Sequence, residues 1–346
     1  MISLLVVNYR SAALALEAIR SARAATRDQL QVVVVDNSVE SAEADRLRAG
    51  ADVLIAPAEN LGYAGGINAG RPHCKGEVIV ISNPDVVFAP SSLDELAHAL
   101  AQPGVAVAGP ALYWDDALTW ILPPSELHTA GEKLDEALAS RMQWWAHLRD
   151  RRRIAARLRF WSLTRTTEMR AVSGAVMAIR AADFDAVGGF DERFRLYFEE
   201  NDFLRRIADR GKRIVYVPAA RCRHLYNQSA GGESDRAAAV YAESELRYLT
   251  KWHGAQIAQI VKALERPRKT TAAARAEGPV TLTDGNLLVE ASPLSSFDTA
   301  AGHFPRQASI DVPPEVRAAY RSDVLYLRAI DRESRRVLAR WARYRS

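Results

Sequence analysis

Short apolar runs alternate with helical patterns along the amino-terminal third of the chain. Consecutive apolar residues indicate buried strands at residues 2–8, 31–36, 51–56, 77–82 and 105–110. Between them, apolar residues recur at helical spacing over residues 11–25 and 92–101, and each segment begins at a serine that can cap a helix. Strands that alternate with helices are typical of βαβ units. The pattern therefore predicts an α/β fold with a mainly parallel sheet flanked by helices.

Acidic residues follow several apolar segments. Asp36 ends the second run, Asp85 follows the fourth, and Glu199, Glu200 and Asp202 come after a segment that begins with two glycines. The carboxyl ends of parallel strands border the crevice in which open α/β sheets bind ligands. Carboxylates at this edge predict an enzyme that holds a nucleotide and a divalent cation.

A glycine-rich passage covers residues 62–70, directly after Asn60 and Leu61. Glycine allows the backbone to approach a ligand closely and to adopt positive φ. The spacing differs from the Gly-x-Gly-x-x-Gly pattern of dinucleotide-binding proteins. A structural turn and a ligand-binding loop are equally compatible with this passage.

Composition places the chain among ordinary globular proteins. It has 346 residues, of which 48% are hydrophobic and 25% charged, and its net charge is +4. No apolar run approaches the roughly 18 residues that would span a bilayer, and the amino terminus lacks a signal-peptide pattern, so we expect a cytoplasmic protein. Cys74 and Cys222 lack metal-binding or redox spacing, and we assign them no role.

The carboxyl-terminal part has a different character. Residues 256–278 are basic and poor in large apolar side chains towards their end, which predicts a linker. Strand-like runs at residues 280–283, 287–290 and 324–330, and a hairpin through residues 331–341, predict a small β-rich module over residues 279–346. A terminal helix over residues 314–345 is the competing interpretation.

Arginines and tryptophans are combined at partly helical spacing over residues 141–170. This composition is typical of an amphipathic helix at a membrane interface, and it would place the protein peripherally on the inner face of the cytoplasmic membrane, beside a lipid-linked acceptor. A packed insertion or a subunit contact in an oligomer explains the same residues equally well. We expect no nucleic-acid binding, because no recognised module accompanies the charge.

Several short segments, taken in order, resemble the family 2 glycosyltransferases of GT-A fold, and especially bacterial rhamnosyltransferases. They are residues 6–11 (VVNYRS), 35–38 (VDNS), 60–68 (NLGYAGGIN), 83–86 (NPDV), 173–175 (SGA), 188–192 (GGFDE) and 197–202 (YFEEND). The resemblance covers residues 1 to about 255, which we expect to form a glycosyltransferase domain with residues 141–170 as an insertion.

The resemblance implies a set of donor-binding residues. The segment after the first strand and the acidic residue after the second would hold the base and ribose of the donor nucleotide. The glycine-rich passage, residue 83 and the segment around residue 174 would line the rest of the donor site. The implied residues are Asn8, Tyr9, Arg10, Asp36, Asn60, Gly62, Gly65, Gly66, Asn68, Asn83 and Gly174. In isolation, Asp36 reads equally as a turn residue at a strand end.

The resemblance also implies a metal site for Mg²⁺ or Mn²⁺. Residues 83–85 stand where most GT-A enzymes have an Asp-x-Asp motif, and only the last carboxylate, Asp85, is kept. His224 lies in a segment similar to one whose histidine completes the metal site in the family. Hard divalent ions accept phosphate oxygens and water as further ligands, so few protein ligands suffice. A plain turn at residue 85 and a structural histidine remain alternatives.

The acidic cluster supplies the implied general base. By the resemblance, Glu200 falls on the base position, flanked by Glu199 and Asp202. Apolar spacing over residues 196–209 predicts a helix that begins inside the cluster. Its positive end would lower the pKa values of the carboxylates, while their mutual repulsion would raise them. Acids at a helix start are also common as simple caps.

Together these features imply an inverting, metal-dependent glycosyltransferase. The resemblance favours transfer of L-rhamnose from dTDP-β-L-rhamnose to a hydroxyl of a cell-surface polysaccharide or lipid-linked glycan precursor, as in O-antigen synthesis. A UDP- or GDP-sugar donor is the first alternative. A nucleotidyltransferase would need a phosphate loop that the amino terminus lacks. A catalytically silent subunit that binds sugar nucleotides or glycans is the alternative from another class.

Overall fold

The computed structural model describes residues 1–225, 234–264, 273–275, 280–281, 286–306, 309–319 and 322–344. The chain divides into two compact units. Unit 1 comprises Met1–Ala111, Ser125–Ala130 and Thr164–Lys262. Unit 2 comprises Leu112–Pro124, Gly131–Leu163 and Ala263–Ser346.

The predicted alternation of strands and helices is confirmed in unit 1. Its strands are β1 (Ile2–Asn8), β2 (Leu30–Asp36), β3 (Val53–Ile55), β4 (Val78–Ser82), β5 (Val86–Phe88), most of β6 (Val105–Tyr113), β8 (Thr167–Glu168), β9 (Val176–Arg180) and β10 (Arg213–His224). Its helices are α1 (Ala12–Ala24), α2 (Ser41–Leu47), α3 (Gly62–Gly70), α4 (Ser92–Leu100), α7 (Ala181–Ala186), α8 (Glu199–Asp209), α9 (Ser234–His253) and α10 (Ala255–Leu264).

The unit 1 sheet runs in the order β6-β9-β4-β1-β2-β3. Strand β1 pairs in parallel with β2 and β4, and β2 pairs in parallel with β3. Strand β9 is antiparallel to β4 and β6. In the register of β1 and β2, Asn8 lies opposite Asp36. Since β1 is buried along its whole length, its apolar run is continuous rather than alternating.

The glycine-rich passage forms a helix, α3, rather than a loop. Its glycines lie where the helix approaches the sheet most closely. A Cβ at Gly66 would lie 2.8 Å from Val7, and a Cβ at Gly70 would lie 2.3 Å from Leu5. Small residues are therefore needed on this helix for packing against β1, which the sequence pattern did not distinguish from ligand approach.

The described part of unit 2 is rich in β-strands, as predicted for the carboxyl-terminal module. Its strands are β7 (Trp120–Ile121), β11 (Ala274–Arg275), β12 (Val280–Thr281), β13 (Leu287–Ser292), β14 (Ala301–His303), β15 (Ser309–Ile310), β16 (Val324–Asp331) and β17 (Val337–Tyr344). The sheet order is β11-β17-β16-β13-β14-β7, and the predicted hairpin is the antiparallel pair β16–β17. The competing terminal helix is limited to α11 (Pro314–Ala319).

Two helices, α5 (Ala130–Arg141) and α6 (Gln143–Trp161), accompany the unit 2 strands, and α6 pairs with the strands through buried ionic groups. Arg328 of β16 donates to Glu290 of β13 at 2.5 Å and to both carboxylate oxygens of Asp150 at 2.8 and 3.0 Å. Arg153 of α6 also contacts Glu290, at 2.9 Å. Because Glu290 and Arg328 are fully buried, removing one partner of these pairs would leave an uncompensated charge between α6 and the sheet.

The domain boundaries differ from those predicted. The insertion was expected at residues 141–170 within a domain of residues 1–255, but residues 131–163 group with the carboxyl-terminal module. Helix α10 occupies the start of the predicted linker, residues 256–278. The linker residues 265–272 and 276–279 lie outside the described residues, as do residues 282–283 of the first predicted module strand.

Candidate active site

A buried polar network lies at the carboxyl ends of β1 and β2. The Asn8 Nδ2 atom is 2.9 Å from Asp36 Oδ1, 3.3 Å from Ser38 Oγ and 3.3 Å from Glu43 Oε2. The same Glu43 oxygen accepts from the backbone amide of Ala12 at 2.9 Å, at the start of α1. Glu43, not the predicted serine, therefore satisfies this helix end, and Asn8 and Asp36 brace the loops after their strands.

Tyr9 and Arg10, which follow Asn8, are exposed. Arg10 has a φ of 52°, which an L-residue rarely adopts, and its backbone amide donates to Ser38 Oγ at 2.7 Å. The Arg10 guanidinium lies over the Tyr9 ring, 5.3 Å from its centroid. The Arg10 Nε atom also donates to Glu40 Oε1 at 2.8 Å. The backbone turn thus places an aromatic ring and an exposed ion pair at the sheet edge, while Asn8 stays inside.

The start of α3 is joined to the segment before α8. Gly62 has a φ of 74°, and a Cβ there would lie 2.7 Å from the Arg195 carbonyl oxygen. The Tyr63 amide donates to that oxygen at 2.8 Å, and Asn60 Oδ1 accepts from the Gly62 amide at 2.8 Å. The glycine at residue 62 is therefore required by this close approach, and it fixes where Tyr63 lies.

The other predicted donor residues of α3 have packing roles. Gly65 and Gly66 are buried, Gly65 beside Leu61 and Gly66 beside Val7. The Asn68 amide donates to Phe190 O and Glu192 Oε1, both at 2.8 Å, and its oxygen accepts from the Phe190 amide at 2.9 Å. Asn68 thereby holds the GGFDE segment, which explains its presence without a ligand.

Asp85 and His224 lie side by side. Asp85 follows β4 and begins the turn into β5, and His224 ends β10, which pairs with β5. The His224 Nε2 atom is 3.3 Å from Asp85 Oδ1, and both side chains are almost fully buried. Asn83 is half-buried, and its backbone N–H donates to Ala175 O at 2.8 Å. Residues far apart in sequence therefore meet at the predicted metal position.

Tyr63 connects this pair with the acidic cluster. Its hydroxyl donates to Gly174 O at 3.1 Å. Burial raises the pKa of Tyr63 well above its usual value, and the charges of Glu199, Glu200 and Asp85 raise it further. A Cβ at Gly174 would lie 3.1 Å from the Glu200 Cγ atom. The Tyr63 hydroxyl therefore contacts the backbone of the same segment that packs directly on Glu200.

Glu199 and Glu200 form the first residues of α8, as predicted. Burial raises the pKa values of both carboxyls, and for Glu199 the neighbouring Glu200 charge adds to the effect. Backbone hydrogen bonds lower them less. The expected lowering by the helix end is therefore outweighed by desolvation. Among the described residues, no hydrogen-bond partner is found for the Oε2 atom of either glutamate.

Asp202 has different surroundings from the two glutamates. It is fully buried, and its oxygens contact Lys251 Nζ at 2.5 Å, Arg206 Nε at 2.8 Å and Trp252 Nε1 at 2.9 Å. A buried carboxylate that accepts from two cations and an indole has its oxygens occupied by protein donors. Asp202 thus anchors α8 to α9, whereas Glu199 and Glu200 each have one buried oxygen without a hydrogen-bond partner among the described residues.

The backbone before α8 is strained and firmly supported. Tyr197 and Phe198 both have a φ of 67°, each a conformation that costs about 1–3 kcal/mol. Phe198 packs with Phe194 and Tyr248 in a buried cluster, and Ser244 Oγ donates to Leu196 O at 2.8 Å. The α9 contacts offset the strain and turn the chain sharply into Glu199. Strain of this kind is common at functional sites.

Sequence reasoning missed Glu43 and Tyr63. Glu43 lies on a short helix with no motif of its own, and Tyr63 was seen only as part of a glycine-rich passage. Three arginines of the same region are engaged with protein groups: Arg180 with backbone carbonyls around residue 102, Arg205 stacked on Trp252, and Arg206 paired with Asp202. Burial raises the pKa of Cys74 to about 11, so the thiol stays unionised at neutral pH.

The described residues contain no group of three or more metal-ligating side chains. A cation site here would therefore have few protein groups. Asp85 and His224 could supply two of its coordinating atoms, and a bound diphosphate and water could supply the others. The nearby buried glutamates could accept a proton. None of the helices within the described ranges is long and apolar enough to cross a membrane.

Comparisons with known proteins identify the family to which the chain belongs. The family model described as "Glycosyltransferase like family 2" matches residues 1–274. The chain is 27% identical over 248 residues to an N-acetylglucosaminyl-diphospho-decaprenol L-rhamnosyltransferase of Mycobacterium tuberculosis, covering 66% of this chain and 77% of the relative. It is 32% identical over 79 residues to the Escherichia coli rhamnosyltransferase WbbL, covering 23% of this chain and 30% of that protein.

Among solved structures, the chain is similar to GalNAc-T7 in complex with UDP, GalNAc and Mn²⁺. The TM-score is 0.52 at 14% sequence identity, and the match covers 73% of this chain and 48% of the other. This likeness concerns the fold, which is the GT-A glycosyltransferase fold expected from the sequence. With the family model matching most of its length, the chain belongs to glycosyltransferase family 2 and is a glycosyltransferase.

Proposed function

We propose that this glycosyltransferase transfers L-rhamnose from dTDP-β-L-rhamnose to a hydroxyl of a lipid-linked glycan precursor, with inversion at the anomeric carbon. The observations that carry the proposal are the Asp85–His224 pair at 3.3 Å and the two glutamates at the start of α8, Glu199 and Glu200, whose oxygens include buried atoms without a hydrogen-bond partner among the described residues. A cation-binding pair beside a buried carboxyl pair is what a nucleoside diphosphate leaving group and an acceptor hydroxyl require.

Asp85 and His224 would hold the divalent cation, Mg²⁺ or Mn²⁺. Their acid–imidazole pairing fits such an ion, which accepts an imidazole nitrogen beside carboxylate and phosphate oxygens. When bound, the cation neutralises the charge that develops on the departing diphosphate. Tyr9 and Arg10, exposed at the end of β1, are suited to contact the base and phosphates of the donor.

Glu200 is the proposed general base. It is half-buried and packs against Gly174, whereas Glu199 is only 5% exposed and Asp202 is held by its partners. Its raised pKa moves it towards the operating pH, where a base is most effective. The Glu200 carboxylate takes the acceptor hydroxyl proton as the oxygen bonds to the anomeric carbon, and the bond to the diphosphate breaks with its electron pair leaving on phosphate.

The sugar and acceptor are proposed from the relatives. The M. tuberculosis protein is named for transferring L-rhamnose to N-acetylglucosaminyl-diphospho-decaprenol. Identity of 27% over most of both chains favours a related donor and a related lipid-linked acceptor, although pocket changes suffice to alter the sugar. An unrelated class of donor is less compatible with the motif set.

The experiment that tests the proposal combines binding and turnover. Thermal unfolding is followed with dTDP-rhamnose, UDP-, GDP- and CMP-sugars, with and without Mn²⁺, in the wild type and in Asp85→Asn. We expect a Mn²⁺-dependent rise with dTDP-rhamnose that Asp85→Asn abolishes, followed by transfer to a short-chain N-acetylglucosaminyl-diphospho-lipid. A rise in unfolding temperature only with another sugar nucleotide would overturn dTDP-rhamnose as the donor. A β-linked product, identified by NMR, would overturn inversion at the anomeric carbon.

A further inference from the structure

The helix pair of unit 2 has an exposed apolar side. Helix α5 exposes Leu134 and Leu138, and α6 exposes Trp144 and Leu148, of which Trp144 is 61% exposed. Each pair is spaced by four residues, so its members lie on one side of their helix. The two helices contact one another, since Trp145 Nε1 donates to Asp135 Oδ1 at 2.8 Å. Water-exposed tryptophan and leucine grouped in this way point to a partner that covers them.

Arginines extend the same sides of both helices. Arg141 continues the α5 stripe three residues after Leu138, and Arg151 continues the α6 stripe three residues after Leu148. Arg159 lies on that α6 stripe two turns later. All three are exposed, but the Arg141 guanidinium donates to the carbonyls of Ala137 and Leu264 at 3.0 and 2.6 Å, whereas Arg151 and Arg159 form no ion pair with any described residue. Their positive charges therefore remain available to an anionic partner.

Acids are absent from this side of the pair. None of the exposed positions of α5 and α6 is aspartate or glutamate. Asp135 and Glu136 instead contact Arg149 at 3.2 and 3.1 Å, and Asp150 contacts Arg328 at 2.8 Å. Asp135 also pairs with the exposed Arg152 at 2.6 Å. The partly buried acids are thus matched by arginines, and the exposed positions of the two helices carry no acid.

This arrangement corrects the interpretation of residues 141–170 as one interfacial stretch. Arg153 and Arg157 point inwards, to Glu290 and to the carbonyl of Asp298 respectively, so they have no role at a surface. Trp161 is buried, with its indole donating to Leu122 O at 3.2 Å. The stretch is a packed insertion on one side, and its other side is left for a partner.

We propose that the exposed side of α5 and α6 is a docking surface for an anionic phospholipid bilayer. Leucine and tryptophan side chains insert at the level of the headgroups, and the arginines contact lipid phosphates. This combination suits a lipid surface because no exposed position of the two helices is an acid that would oppose the phosphates and because each helix carries exposed apolar groups followed by exposed arginines on the same side. The proposal concerns unit 2 alone and does not depend on the identity of the donor or the base.

The test is co-sedimentation of the full chain with vesicles of phosphatidylcholine, with and without phosphatidylglycerol. We expect binding to the anionic vesicles only, weakened by salt between about 0.05 and 0.5 M because the screening length shortens. The Arg151→Gln/Arg159→Gln double variant should bind about 25-fold more weakly, at about fivefold per arginine. The Trp144→Gln/Leu148→Gln variant should lose about tenfold or more.

Matched controls carry the same changes at exposed positions elsewhere. Leu338→Gln on β17 and Arg48→Gln near α2 should leave vesicle binding unchanged. Absence of binding to anionic vesicles at low salt would overturn the proposal. So would a dimer, measured by light scattering, that Trp144→Gln/Leu148→Gln dissociates without any vesicle binding. Retained donor-induced thermal shifts in these variants would separate failure at this surface from failure of the proposed function.

Discussion

Replacing Asp202 by asparagine separates a structural acid from a catalytic one. Asp202 is fully buried and accepts from Arg206, Lys251 and Trp252. Asparagine keeps one acceptor oxygen but turns the other towards the donors as an amide. At about 1.5–3 kcal/mol for each hydrogen bond to a charged group, loss of two would cost about 3–6 kcal/mol.

The cost is reduced because both cations keep another acceptor. Lys251 also contacts Asp191 at 2.8 Å, and Arg206 also donates to Val187 O at 2.7 Å. We therefore expect Asp202→Asn to lower the free energy of unfolding by about 2–4 kcal/mol. Urea unfolding measures this, with Asp209→Asn as the control because Asp209 lies exposed on the same helix.

The chemistry should respond differently from the stability. At a temperature where the variant is folded, its kcat per folded molecule should stay within about tenfold of the wild type, since a general base is worth about 10²–10⁴. A loss of about 10² or more in kcat with unchanged urea midpoint would refute the reasoning and move the base to Asp202. Wild-type stability and wild-type activity together would refute the anchoring role.

Three further expectations concern the carboxyl pair. Glu200→Gln should lower kcat by about 10²–10⁴ while donor-induced thermal shifts persist, and unchanged turnover would reject Glu200 as the base. Gly174→Ala should lower kcat because its Cβ would lie 3.1 Å from Glu200 Cγ. The double variant Gly174→Ala/Glu200→Gln should lose no more kcat than Glu200→Gln alone. Additive losses would reject this contact as the cause. Because the folded pKa of Glu199 is raised above 4.5, its stabilising contribution is present below that pH and is lost as pH rises through the folded pKa. In urea unfolding, Glu199→Gln should therefore have the same stability as the wild type near pH 4.5 and a higher stability at pH 8. A stability difference that becomes smaller as the pH rises would contradict the raised pKa of Glu199.

Much of the fold was predictable because local patterns determine it. The continuous apolar runs at β1, β2 and β4 and the helical spacing of α1 and α4 gave element types that the structure confirms. The start of α8 inside the acidic cluster was also predicted correctly. The glycines of α3 did not allow its helix to be predicted. Glycine indicates that the backbone approaches another group closely, but it does not indicate whether that group is a ligand or a strand.

The acidic cluster shows where sequence reasoning ends. Three carboxylates stand within four residues, and their order alone left the base open among them. The structure distinguishes them by their neighbours. Lys251 and Trp252 of α9 donate to Asp202, whereas Gly174 packs on Glu200. The direction of the pKa shifts likewise depends on burial by segments distant in sequence, which a helix-end argument does not include.

The sequence by itself determined the family, the GT-A fold and the residues that carry polar chemistry, because motif order and apolar periodicity are properties of neighbouring residues. Only the tertiary structure decided that Asp85 meets His224, that Tyr63 reaches Gly174, and that the acids of α5 and α6 turn inwards. These contacts join residues separated by many positions in the chain. Their partners are selected by packing and by the desolvation of charge, which depend on the folded chain as a whole.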